Sequence, residues 1–383
     1  MLRIAHIESS VNLGGQELRI LDQIRWMGDH GHSAWLLARE DSAVFKEATR
    51  RNLPTHPISF RGSASPRAIF GLIRLKINLL DCHSASAAST ALAARLLGTP
   101  IVRTLHYDFK TDLVHKYLCR YGSDHIITVS RWIADKLTKL GFAARRIISI
   151  IPTGIDLHRF NPGIDHHTIR NEFNISAKTA IISAIAMIRP DKGQKYLIRA
   201  VDRIAAVHPD TCFLIVGSAT RTEFLNDIKK EIAALHNRDK VILTGFRQDI
   251  EEVIAASDVI VNSSIYEPRS QVIHQAFAMK KLVIASNAGG NKESIAHGKT
   301  GVLFRSENVE SLSQTILAVL GNHTELIREQ AYQTALSAHG IDTMMGRTFN
   351  IYHKILKAKQ SLQSFQCRRS ANEQLKPSEK GVK

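Results

Sequence analysis

"DVIVNSSIYEPRSQVIHQAFAMKKLVIASNAGG", Asp258 to Gly290, holds two short apolar runs, VIV and LVIAS, on either side of a segment whose apolar residues recur at helical spacing. Strands that are apolar at nearly every position suit a sheet covered on both faces. A helix between two such strands is the parallel βαβ unit. The first run leads into a loop with one carboxylate, Glu267, beside Pro268, and the helix begins near Ser270. The second run ends at Gly289-Gly290. Open parallel sheets bind ligands beyond the carboxyl ends of their strands, and these residues fall there.

The same rhythm extends in both directions. A first series of runs comprises RIAHIE (3–8), AWLLA (34–38), THPIS (55–59), LLDCH (79–83), IVRTLH (101–106), HIITVS (125–130) and RIISIIP (146–152). Helical segments such as Gln16–Met27, Pro66–Asn78 and Arg131–Leu140 separate them. A second series comprises AIISAIAMI (180–188), CFLIVGS (212–218), KVILTGF (240–246), DVIVNSS (258–264), KLVIASN (281–287) and GVLF (301–304). Two series predict an α/β chain with two doubly wound parallel-sheet domains facing each other across a cleft. The expected division is 1–165, then 175–340, joined through Asp156–Ile175 with its Asn-Pro-Gly punctuation. A C-terminal helix over 341–358 is expected to pack back on the first domain. Residues 361–383, polar and basic, read as a disordered tail.

The 383 residues suit two domains, and 44% hydrophobic content excludes wholesale disorder. No apolar run is long enough to span a bilayer. The chain begins MLRIAHIE, directly in a strand pattern and without signal-peptide character. Cys82, Cys119, Cys212 and Cys367 are far apart and form no CxxC, which argues against a metal site or a disulfide framework and fits a reducing cytosol. The net charge of +16 is uneven. Residues 1–170 hold 23 Lys+Arg against 14 Asp+Glu, 171–358 hold 22 against 19, and 359–383 hold 6 against 2. A basic first half attracts phosphate-rich partners, although solubility alone also accounts for it.

Unusual chemistry just past each strand marks the expected site. After the first strand, Gly14-Gly15 opens a helix, so backbone amides can approach an anion. The motif is not GxGxxG, which argues against a dinucleotide fingerprint. His83 and His106 each close a strand, where a histidine is either a cleft-facing group or a structural hydrogen bonder. Arg189 and Lys192 follow the first strand of the second series, placed to clamp a diphosphate unless they are merely a solvated loop. Gly217, then Phe246 and Arg247, sit in later loops, where a backbone group near residue 246 could read a base edge. Glu267 suits sugar hydroxyls, and Ser270 and Gln271 offer helix-tip amides to phosphate. Gln275 lies one helical turn from Gln271 on the same side. Helix capping explains Glu267 alone. It does not explain the coincidence with Arg189, Lys192 and Gly289-Gly290.

In this order and spacing the motifs resemble family 4 glycosyltransferases of the GT-B fold over nearly the whole chain. The cues are Gly14-Gly15-x-Glu17, SDHIITVS (123–130), IPTGIDLHRFNP (151–162), IRPDKG (188–193), LIVG (214–217), LTGF (243–246), SDVIVNSS (257–264), GGNKES (289–294) and HGKTGVLF (297–304). HIESSVNLGGQELRIL (6–21) with EPRSQVIHQA (267–276) resembles a bacterial subgroup of lipopolysaccharide and surface-glycan assembly. The family pairs two glutamates. Here Gln275 takes the second position, keeping a hydrogen bond to a ribose diol but losing charge assistance.

The resemblance implies a retaining transfer of a hexose-type sugar from a UDP- or GDP-sugar to a glycan or lipid-linked acceptor, with no metal. Arg189 and Lys192 would neutralise the departing diphosphate, Glu267 would orient the sugar, and His106 would lie beside it. Gly217, Phe246, Arg247, Ser270, Gln271 and Gln275 would hold the donor, with Gly15 approaching the diphosphate from across the cleft. Gly14 and His83 would lie on the acceptor side. A lipid-linked acceptor would bring a cytoplasmic protein to the anionic inner membrane face, and Arg67, Arg74 and Lys76 of the 66–80 segment either serve that contact or belong to an ordinary sheet-covering helix, the commoner case. The alternatives are a sugar-nucleotide 2-epimerase on the same fold, an NAD-dependent oxidoreductase, and a non-catalytic nucleic-acid binder, for which no motif is present.

Overall fold

The computed structural model describes residues 1–60, 72–84, 94–95, 97–107 and 111–374. Each predicted run contains one strand. The first sheet holds β1 (Arg3–Ile7), β2 (Ser33–Ala38), β3 (Thr55–Pro57), β4 (Leu79–Cys82), β5 (Ile101–Leu105), β6 (His125–Thr128) and β7 (Ile148–Ile150) in the order β3-β2-β1-β4-β5-β6-β7. The second holds β8 (Ala180–Ile185), β9 (Thr211–Val216), β10 (Val241–Gly245), β11 (Val259–Asn262), β12 (Leu282–Ser286) and β13 (Val302–Phe304) in the order β10-β9-β8-β11-β12-β13. All of these pairings are parallel.

Each order reverses once, between β1 and β4 in the first sheet and between β8 and β11 in the second. Chain leaves opposite faces of the sheet on the two sides of such a reversal, so a crevice opens at the strand ends there. The loops after β1, β4, β8 and β11 carry the Gly14-Gly15 turn, His83, the cations Arg189 and Lys192, and Glu267, and His106 follows the neighbouring β5.

Helices cover both faces because their apolar residues fall on one side. In the helix Gly15–Asp29, Ile20, Leu21, Ile24 and Met27 are buried. In Gln194–Val207, Leu197, Ile198, Val201 and Ile204 are buried. Each such side chain contributes roughly 1.5–3 kcal/mol on leaving water. The chain from Asp156 to Ile175, read as linker, contains a short helix, His167–Glu172.

After the second sheet the chain returns to the first. The helix Ile341–Gln374 sets Met344, Met345, Phe349 and Tyr352 into the core formed by Ile4, Ile20, Leu36 and Val102. Its backbone runs on to Gln374, beyond the end at 358 expected from the sequence and into the stretch read as tail. Residues 375–383 of that stretch, and 66–71 of the segment considered for membrane contact, lie outside the described residues. Among the described residues no helix is long and apolar enough to cross a membrane.

Candidate active site

A cavity of about 700 Å³ lies between the two sheets, lined by Gly14, Gly15, His106 and Tyr107 from the first and by Lys192, Gly217, Glu267 and Gln271 from the second. Phe246, Arg247, Ser270 and Gln275 also line it. The structure thus gathers on one hollow eleven of the residues singled out from the sequence. Arg189 and His83 are not in its lining.

The Glu267 loop answers why a Gly-Gly turn follows the next strand. The Gly290 amide donates to the Glu267 carbonyl at 2.7 Å. A Cβ on Gly290 would lie 2.0 Å from the Pro268 carbonyl oxygen, so only glycine lets the loops after β11 and β12 nest. Glu267, 5% exposed, accepts from Lys192 Nζ at 2.8 Å and from Ser264 Oγ at 3.2 Å. The Ile265 amide donates to the Asp191 carbonyl at 2.8 Å, and Ser263 Oγ donates to that of Lys192 at 3.1 Å. The loops at the β8/β11 reversal are therefore joined by backbone as well as by charge.

Ser270 caps the helix Gln271–Ala278 with extended backbone and makes no side-chain bond to it. The first-turn amides of that helix are left to the cavity, where the positive end of its dipole favours an anion. From the same turn, Gln271 Nε2 donates to the Gly15 carbonyl at 2.5 Å, across the cleft. A Cβ on Gly15 would lie 3.1 Å from that nitrogen, so the close approach of the two sheets relies on a small residue there. A second bridge is Glu293, whose two carboxylate oxygens accept from the Arg131 and Trp132 amides at 2.8 and 2.7 Å.

Two cations depart from their expected places. Arg189 is held by Asp191 at 2.6 Å, because a guanidinium and a carboxylate two residues apart in one tight loop find each other first. Arg247 lines the cavity, but its guanidinium grips Glu172 at 2.6 and 2.7 Å and also Asp249. Those carboxylates raise its pKa and tie the loop to the helix His167–Glu172. Phe246 beside it is 56% exposed.

His83 is buried behind His106, with His83 Nδ1 3.0 Å from His106 Nε2. Its ring lies between His6 and His106 and does not border the cavity. Sequence reading missed three participants. Tyr107 lines the cleft beside His106. Arg269 lines it too, its Nε without a partner and burial pulling its pKa down to about 10. Asp81 lies beneath the histidines, accepting from Thr104 Oγ1 at 2.7 Å and Tyr352 Oη at 2.6 Å. The string EPRSQ held the signal for Arg269. No local pattern links Asp81 to a tyrosine 271 positions later.

Two family descriptions match the chain in succession, Glycosyltransferase Family 4 over residues 13–159 and Glycosyl transferases group 1 over residues 165–335. The chain belongs to the family 4 glycosyltransferases. The transferase is 24% identical over 355 residues to the UDP-Gal:alpha-D-GlcNAc-diphosphoundecaprenol alpha-1,3-galactosyltransferase of Escherichia coli, covering 83% of this chain and 88% of that one. Its fold matches a glycosyltransferase of Rickettsia africae ESF-5 with a TM-score of 0.83 at 24% identity, over 93% of this chain and 99% of that one. Anabaena HepE, solved in complex with UDP and glucose, matches with a TM-score of 0.80 at 21% identity, over 92% and 99% of the two chains. These neighbours make the fold of the transferase GT-B.

Proposed function

We propose that this glycosyltransferase moves a hexose from a UDP- or GDP-sugar to a glycan or lipid-linked acceptor with retention at the anomeric carbon, in bacterial surface-glycan assembly. The observation that carries the reading is the grouping of Lys192, Glu267 and the amide tip of Gln271–Ala278 in one cleft that faces Gly15 and His106. Lys192 and the helix tip supply the positive field that a departing diphosphate needs, so the reaction runs without a metal. Glu267 accepts from donor-sugar hydroxyls. Arg189 adds its charge when it leaves Asp191. Gln275 and Gln271 meet the ribose side of the nucleotide, and the backbone at Gly217 and Phe246 meets the diphosphate and base. In the reaction the acceptor oxygen forms its bond to the anomeric carbon on the face from which the diphosphate leaves. The acceptor proton passes to the departing phosphate oxygen. The bridges Gln271–Gly15 and Glu293–Trp132 favour a shut cleft that keeps water from the sugar.

The first half of the chain then takes the acceptor and the second half the donor. The donor named for the Escherichia coli relative is UDP-Gal and its acceptor is a diphosphoundecaprenol, which supports a lipid-linked acceptor here. Contact with an anionic membrane has a physical support in the helix Leu113–Arg120. It exposes Leu113 (83%), Val114 and Tyr117, with Tyr121 following and Arg120 alongside. Aromatic, aliphatic and basic side chains on one exposed face suit a lipid headgroup region.

A thermal-shift panel of UDP, GDP, ADP and their common sugars tests the donor class. Stabilisation by one nucleotide diphosphate and its sugar, lost in Lys192→Ala and in Glu267→Ala, is the expected result. An equal response in both variants removes the site. Incubation with the selected sugar nucleotide alone separates a transferase from a 2-epimerase, since only the epimerase yields the C2-epimeric sugar, whereas a transferase without acceptor at most hydrolyses its donor.

A further inference from the structure

Three histidines from three strand ends stand in a row beneath the cleft. His6 lies in β1, His83 just after β4 and His106 just after β5. His6 Nδ1 is 2.9 Å from His83 Nε2, and His83 Nδ1 is 3.0 Å from His106 Nε2. The rings of His6 and His83 are stacked with centroids 5.2 Å apart. All three are buried, and His106 alone borders the cavity. Burial and the nearby Arg19 guanidinium push each below the ordinary imidazole value, His6 to about 3, so the row is neutral.

A neutral imidazole carries one proton on two nitrogens, so one ring's tautomer dictates the next. The row has two consistent states. In one, protons sit on the Nδ1 atoms: His6 donates to His83, His83 donates to His106, and His106 Nδ1–H faces outward. In the other, every proton sits on Nε2, each bond reverses, and His106 offers a bare Nδ1. Asp81 Oδ1, 3.8 Å from His83 Nε2, leans toward the second state, in which His83 carries its proton on Nε2, but at this distance it accepts no hydrogen bond from that nitrogen.

The choice is made at the far end. His6 Nε2 is buried and has no hydrogen-bond partner among the described residues. The Nε2 state would leave an N–H there with no acceptor, and orphaned buried N–H groups are rare in native proteins. The Nδ1 state leaves only a bare lone pair there, which the nearby Arg19 guanidinium favours over an N–H. We propose that His6 and His83 are positioning residues that hold His106 as the tautomer donating from Nδ1 into the cleft, so that His106 meets an acceptor oxygen of the ligand. The link to a sugar or phosphate oxygen rests on the transferase reading. The tautomer itself does not. Asp81, fixed by Thr104 and by Tyr352 from the C-terminal helix, anchors the base of the row.

The test is a long-range proton–nitrogen NMR correlation on the full chain labelled with ¹⁵N-histidine, with His106 assigned by the peaks lost in His106→Gln. The expected spectrum has a protonated-type Nδ1 and a bare-type Nε2 for His106. A protonated Nε2, or an imidazolium at neutral pH, overturns the proposal, and the measurement needs no substrate. In His83→Phe, which keeps a flat ring but no nitrogen, His106 becomes a mixture of tautomers. In His83→Gln, whose amide can accept from His6 and donate to His106, the original spectrum returns. An unchanged His106 in folded His83→Phe also overturns it. If His83→Phe does not fold, the spectrum of the unaltered chain still decides.

Discussion

Lys192 Nζ lies 2.8 Å from Glu267 Oε2, with the two side chains only 12% and 6% exposed. The sequence assigns them separate duties, one to phosphate and one to sugar. The structure makes them partners at the β8/β11 reversal. A buried pair returns little net stability, but losing one member strands the other charge away from water. Lys192→Met is therefore expected to destabilise the chain by about 3 kcal/mol, and Lys192→Met with Glu267→Gln to recover much of that loss. Urea unfolding of the singles and the double measures the coupling. Additive losses would mean that the pair is not formed in solution. Neither form should respond to a nucleotide sugar.

Gly290→Ala tests the nesting of the loops. The added methyl would sit 2.0 Å from the Pro268 carbonyl oxygen, so the Glu267 loop must shift. The cost is expected at about 1–3 kcal/mol, with loss of nucleotide-sugar stabilisation in a thermal melt. Gly346→Ala, inside the C-terminal helix where an added Cβ meets nothing within 4 Å, is the control and is expected to keep the nucleotide-sugar response and to be up to about 1 kcal/mol more stable than the unaltered chain. A Gly290→Ala melt identical to the control contradicts the packing described.

Most of the thirteen strands were legible because they are short runs buried on both faces, and the half-buried edge strands β3, β7, β10 and β13 were legible as short β-branched or apolar runs bounded by turns. The site was legible where chemistry follows a strand directly, as at Gly15, His106, Lys192 and Glu267. It was less so where the fate of a side chain depends on a neighbour. Arg189 and Arg247 read as free cations, and each is claimed by an aspartate two residues on. His83 reads as a cleft residue by its place after β4, and the ring points to His6 and His106. The 34-residue C-terminal helix was read too short because its apolar face stops near Ile355, whereas the backbone continues in polar sequence with good helix formers.

Cleft closure depends on two bridges of different kinds. Gln271 Nε2 meets a backbone carbonyl at Gly15, and Glu293 meets the first amides of the helix Arg131–Lys139. A carboxylate on a helix N-terminus adds a favourable dipole contribution. Glu293→Ala removes this bridge without touching the cavity lining. The expected outcome is a larger radius of gyration by small-angle scattering, with hydrolysis of the sugar donor rising against transfer as water enters. Unchanged scattering and an unchanged ratio of hydrolysis to transfer would show that Glu293 does not hold the cleft shut.

The buried titrating groups set how stability varies with pH. His6, His83, His106 and His274 are all held below the ordinary value of 6.5, chiefly by burial. The unfolded chain takes up these protons first as pH falls, so their contribution is complete above 6.5 and is lost on acidification, by up to about 1.4 kcal/mol per histidine per pH unit. Glu8 works in the opposite direction. Burial raises its carboxyl from 4.5 to about 7, so the folded chain keeps a proton that the unfolded chain lacks, and this contribution falls as pH rises through that window. With His125 and His339, each held down to about 4, the lowered histidines outnumber the raised carboxyls Glu8, Asp22, Asp81 and Glu252, and the urea midpoint is expected to be lower at pH 5.5 than at pH 7.5. Glu8→Gln removes one opposing group and should make that drop steeper. His274→Phe removes a histidine whose two ring nitrogens have no partner among the described residues, and should make it shallower. A midpoint unchanged between the two pH values, or equal slopes in all three proteins, would mean that these groups are not buried and neutral in the folded chain.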